Sequence, residues 1–147
     1  MQQYAFRDAE FMSAREKELV LNAWVRFLKH GLRFEDFSDR LYQHLHLHCG
    51  FIAHYNRQGF YATYFESGED TVRFLSQFDR RGGRLSVEYG GTLWSMREYA
   101  DLKEAMIKEG AAFIPKLIES AQIKQRDSDL AVARGLLQKH GVDQGGS

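Results

Sequence analysis

A single cysteine, Cys49, leaves the chain without an internal disulfide, so 147 residues must be held together by packing alone. That usage fits a reducing compartment, and the expected location is cytoplasmic. Only one proline, Pro115, is present, so helices can run long without a missing N–H or a ring clash. Neither sign of charge is in surplus: lysine plus arginine and aspartate plus glutamate each number 20. A protein bound to phosphate backbones usually carries a basic excess. Neutrality therefore argues against broad nucleic-acid or anionic-membrane binding, although a local patch remains open. No apolar run approaches the roughly 20 residues of a membrane span. The opening MQQYAFRDAEF has no apolar segment of the kind a secretory signal needs. No linker or repeat divides the chain, so one helical domain is expected over 1–141, with a disordered tail over 142–147.

Helical patterns and aromatic rings are what the sequence does contain. Aromatics make up 14% of the residues, enough to predict that wide rings fill the gaps between helices or form an aromatic interface. Ser13-Ala-Arg-Glu16 is a capping-box pattern, followed by Val20, Trp24, Phe27 and Leu28 at helical spacing and by Gly31 as a stop. A second helix is predicted from Phe34 to His48, with Phe34, Phe37, Leu41 and Leu45 on its apolar face. A break at Cys49–Gly50 resets the phase and places Phe51, His54, Gln58, Tyr61 and Phe65 on one face of a third helix. Ser67-Gly-Glu-Asp70 opens a fourth, carrying Val72, Phe74, Leu75 and Phe78.

Between Gly83 and Gly90, Leu85, Val87 and Tyr89 alternate with polar residues, which predicts a short strand or hairpin near 84–89. Helical spacing returns from Thr92 to Lys108, and again after Gly110, where Pro115 sits in a first turn or kinks the helix. A last helix is predicted from Ser128 to His140, with Leu130, Ala133, Leu136 and Leu137 facing inward. The fold class is therefore all-α, an irregular bundle of five to six helices.

Chemistry-bearing residues concentrate in HLHLHCGFIAHYNRQGFYATYF, from His44 to Phe65. His44 and His48 are i, i+4 neighbours within an apolar stripe, and His54 lies just past the break. Three imidazoles meeting there would suit a zinc-like divalent metal with an open, catalytic-type shell. Against this, no carboxylate shares their phase, and neutral histidines in aromatic surroundings often serve as hydrogen-bonded core groups. No cofactor is expected on balance, and a divalent metal on His44, His48 and His54 is the alternative. His46 points away from the stripe and is expected to be solvated.

Two other candidate sites follow. Tyr55, Tyr61 and Phe65 form an aromatic seam suited to a partner helix, a second copy of the chain or an apolar ligand. Arg80, Arg81 and Arg84 flank Gly82–Gly83, a combination able to hold a phosphate or an RNA loop. The leading expectation is a small binding or interaction protein that forms a homodimer or takes a protein partner. A metal-dependent enzyme and a nucleic-acid accessory factor are the alternatives.

Overall fold

The computed structural model describes residues 4–47, 56–81 and 98–145, with 79–81 and 138–145 as backbone alone. All regular structure among these residues is helical. The order is α1 (Ala14–Lys29), a 3₁₀ turn (Phe34–Asp36), α2 (Asp39–Leu47), α3 (Arg57–Tyr64), α4 (Gly68–Arg81), α5 (Ala100–Gly110) and α6 (Ile114–Gly145). An irregular helical bundle is the result, and the strand or hairpin expected near 84–89 lies outside the described residues. No helix among them is long and apolar enough to cross a membrane.

The capping chemistry explains where α1 begins and ends. Ser13 Oγ accepts the Glu16 N–H at 3.2 Å, which satisfies one of the unpaired donors of the first turn. At the other end Gly31 N donates to Leu28 O at 3.1 Å and Leu32 N to Phe27 O at 2.9 Å, the paired bonds of a Schellman ending. Both residues are left-handed, Gly31 at φ 81° and Leu32 at φ 64°. Glycine adopts that conformation freely, whereas leucine is strained there. Leu32 is held by its buried side chain and by the Tyr61 hydroxyl, which donates to its carbonyl at 2.6 Å.

Caps set where two helices begin, while the break expected at Cys49–Gly50 and the start of the third helix from Phe51 lie outside the described residues. The segment from Phe34 does not run as one helix. Ser38 Oγ accepts the Leu41 N–H at 3.2 Å and restarts the chain as α2, leaving Phe37 between the two pieces. Likewise Asn56 Oδ1 accepts the Gly59 N–H at 2.6 Å and starts α3 at Arg57. The phase this sets sends Phe60 fully into the core, a residue absent from the predicted face.

Helix α6 corrects the sequence reading in the other direction. The two predicted C-terminal helices are one helix of 32 residues. Pro115 is its second residue, where the missing N–H would have had no helical partner anyway. Leu130, Leu136 and Leu137 do not face inward: they are 49%, 53% and 72% exposed.

Aromatic rings knit the core. Phe37 lies 5.2 Å from Phe27, 5.6 Å from Phe60 and 5.6 Å from Phe65. Phe65 passes the contact to Phe74 at 4.7 Å, and Phe78 meets Trp24 at 4.4 Å. Trp24 is fully buried, and its indole N–H donates to Met106 O at 3.0 Å, tying α1 to α5. Buried rings of this size bring both apolar area and ring–ring attraction worth about 0.5–1.5 kcal/mol per pair. Around this core α1 packs on α2 and α5, and α4 packs on α3 and α6.

Candidate functional site

The predicted residues scatter into different settings. His44 is 3% exposed on α2, with its ring 6.1 Å from that of Tyr99 in an edge arrangement. His48, His54, Tyr55 and Arg84 lie outside the described residues, as do the side chains of Arg80 and Arg81, whose backbone ends α4. Among the described residues no three His, Cys, Asp or Glu side chains converge as a metal set. Phe65 is 4% exposed and belongs to the core, and Tyr61 is partly buried through its bond to Leu32. Burial, joined by the charges of Glu35 and Glu66, raises the Tyr61 pKa, so the hydroxyl stays a neutral donor. The described part of the aromatic seam therefore faces inward. His46, expected to be solvated, is half-buried and stacks on Tyr42 at 5.6 Å.

Two exposed features survive as candidates. The first is a cleft of about 850 Å³ beside α2. Helical spacing lines up Arg40, Gln43, His44 and Leu47 on one wall, and Phe11, Met12 and Glu16 stand opposite. Phe11 is 65% exposed and Leu47 57%, so two apolar side chains stand among the polar Glu16, Ser38, Asp39, Arg40 and Gln43 above a buried imidazole. Behind His44, the Tyr99 ring also carries the Lys17 ammonium, 5.6 Å from its centroid. Lys17 is itself fully buried and donates to Glu98 O at 2.7 Å and Asp101 Oδ1 at 2.8 Å. Burial pushes the Asp101 pKa up, but bonds from Lys17 and from the Arg7 and Leu102 N–H groups outweigh it and leave the carboxyl below its usual value. This charge cluster lies behind His44, joined to it through the Tyr99 ring.

The second feature is the far half of α6. Its near half is docked: Ile114 is fully buried, Ala121 is 6% exposed, and Gly68 lies so close that a Cβ there would collide with the Ala121 carbonyl. Lys124 Nζ donates to Glu66 O at 3.0 Å, and Gln125 Oε1 accepts the Glu69 N–H at 2.9 Å. From Arg126 to Leu137 every residue is exposed. At 1.5 Å per residue the part of α6 past Gln125 extends for roughly 30 Å. It carries Leu130, Val132, Leu136 and Leu137, and Ile123, at the edge of the docked half, is 45% exposed.

Ile123, Leu130 and Leu137 recur every seven residues, which keeps them on one face. Sequence periodicity finds such a stripe but cannot tell a face that meets the core from one that meets a partner. That is why these leucines were expected inside. The chain matches no protein-family model, no curated protein and no solved structure.

Proposed function

We propose that this is a small interaction protein that self-associates through the far half of α6. The observation behind the reading is that Leu130 and Leu137 stand 49% and 72% exposed on one face of a helix whose residues from Arg126 to Leu137 are all exposed, in phase with Ile123 at 45%. Scattered surface leucines need no explanation, but Ile123, Leu130 and Leu137 recur every seven residues on one exposed face, the spacing of a helix-pairing seam. An exposed helical segment of this length is also marginal in water by itself, since helices gain most of their stability from a packed apolar face. A second copy of the same helix supplies that packing. Sedimentation equilibrium tests the reading: the wild type is expected as a dimer, and Leu130→Asp with Leu137→Asp as a monomer of unchanged fold. A wild type that stays monomeric at high micromolar concentration overturns it.

A second reading is favoured by the cleft beside His44. Its volume of about 850 Å³ and mixed lining suit an amphipathic organic ligand, with Phe11 and Leu47 on the apolar part and Glu16, Gln43 or Arg40 on the polar end. Loss of binding of an apolar fluorescent probe in Leu47→Asp, with no change in circular dichroism, is the expected result. Retained binding there assigns the probe to another surface. The metal-dependent and nucleic-acid alternatives gain no support from the described residues.

A further inference from the structure

Resting on the self-association reading, we infer that the two copies of α6 pair antiparallel, with Asp127 of each chain against Arg134 of the partner subunit. The argument starts from the face. Ile123, Leu130 and Leu137 form its line, with Ala133 and Arg126 about 40–60° to one side and Asp127 and Arg134 about 40–60° to the other. Seven residues apart, about 10 Å along the axis, these two cannot bond each other within one helix. Neither takes part in an ion pair among the described residues. Two opposite charges on one flank are self-complementary only when the partner helix runs the other way.

The apolar line agrees with that register. When the two-fold axis falls between residues 131 and 132, Asp127 stands within two residues, about 3 Å along the axis, of Arg134 of the partner subunit. Leu130 then packs on Ala133 of the partner subunit, a large residue against a small one, and the contact occurs twice. Leu137 meets the aliphatic stem of Arg126 of the partner subunit, whose guanidinium can reach water at the edge. A parallel pair would instead bring the two Arg126 side chains together in the seam, with their charges opposed. It would pair Arg134 with Asp129 of the partner subunit, an attraction, so the opposed Arg126 charges are what tell against it.

The test exchanges charges on the full-length chain and reads the dimer dissociation constant by sedimentation equilibrium, with helicity as the control for folding. Antiparallel pairing predicts that Asp127→Arg and Arg134→Asp each weaken the dimer, roughly tenfold, because each turns two attractions into two repulsions. Carrying both changes in one chain restores the affinity. Mixing the two single variants also restores it, as a heterodimer in which every pair is again opposite. If Asp127→Arg dimerises like the wild type while Arg134→Asp does not, the pair is parallel and the inference fails, although self-association stands. If neither change matters, the charges do not set the orientation and the inference fails as well. A monomeric wild type sinks both readings together.

Discussion

Gln125 Oε1 accepts the backbone N–H of Glu69 at 2.9 Å, and from the residue after Gln125 through Leu137 every position of α6 is exposed. One helix thus has a half built into the bundle and a half built outward. The same type of substitution should have opposite consequences in the two halves.

Gly68 and Gly135 make that comparison direct. Glycine to alanine within a helix usually stabilises by about 0.5–1 kcal/mol, because alanine loses less backbone freedom on folding. At Gly135 nothing lies within 4 Å of the added methyl, so Gly135→Ala should raise the helical signal at 222 nm and not lower the melting temperature. At Gly68 the methyl would run into the Ala121 carbonyl and come within 2.8 Å of Gln125 Cβ. Backbone cannot yield there as a flexible side chain would. Gly68→Ala should therefore cost about 1–3 kcal/mol by forcing α4 off α6. Equal urea midpoints for Gly68→Ala and the wild type would show that the close approach is not needed.

The sequence was most legible where local chemistry acts by itself. Ser13, Gly31 and Ser67 each announce a helix end through bonds made within a few residues, and the structure shows those bonds. It was less legible where one weak cap outranked a longer pattern. Ser38 and Asn56 each start a helix and set its phase, which places Phe60 in the core and leaves Phe37 outside any helix. Long-range partners were not legible at all. Nothing local to Lys17 says that Asp101 and the Glu98 carbonyl will meet it, and nothing local to Leu130 says that no core awaits it. Candidate-site residues suffered most, since a site depends on which faces remain open after packing.

Lys17 and Asp101 should respond unequally to neutralisation. Asp101→Asn leaves an ammonium with no exposed surface and without its counter-charge, and such orphaned ions are costly. The expected loss is about 2–3 kcal/mol, below the range for fully buried pairs because Asp101 is 29% exposed and partly screened by water. Lys17→Met removes the buried charge altogether. Asp101 then keeps the Arg7 N–H at 2.9 Å and the Leu102 N–H at 2.7 Å and can turn to solvent. The cost should be smaller, about 1–2 kcal/mol, mainly for the unpaired Glu98 carbonyl. Chemical denaturation that ranks Lys17→Met as the worse variant would contradict this account.

Acid sensitivity should centre on Asp36 and Asp101. Asp36 is 5% exposed and has Arg26 at 3.3 Å, His30 at 2.9 Å and Arg33 at 3.0 Å. Burial raises its pKa, but the bonds from Arg33 and His30 outweigh that and bring it below its usual value, as happens for Asp101. A depressed folded-state pKa means stability fully present above the unfolded value and lost as pH falls through the folded one. The urea midpoint should thus fall as pH drops from about 5 to about 2. Asp36→Asn should start lower at neutral pH and fall less steeply. A slope identical to that of the wild type would show that Asp36 does not contribute.

His44 and His46 provide the test of what the histidine stretch does. His44 is 3% exposed at the base of the cleft, against the Tyr99 ring, so His44→Ala removes packing there. About 1–3 kcal/mol is expected. His46 stacks on Tyr42 with an interplanar angle of 12° and lies 6.4 Å from Phe60. Its loss should cost about 1 kcal/mol, more than a solvated residue would. These effects belong to packing, and a chelator should leave the melting temperature of the wild type where it was. A metal held by His44, His48 and His54 makes a different forecast: EDTA would lower the wild-type melting temperature and leave His44→Ala unchanged, because binding to the folded state alone adds stability that removal takes away. Thermal scans of both proteins with and without EDTA separate the two accounts, and a wild-type drop that the variant lacks would establish the metal.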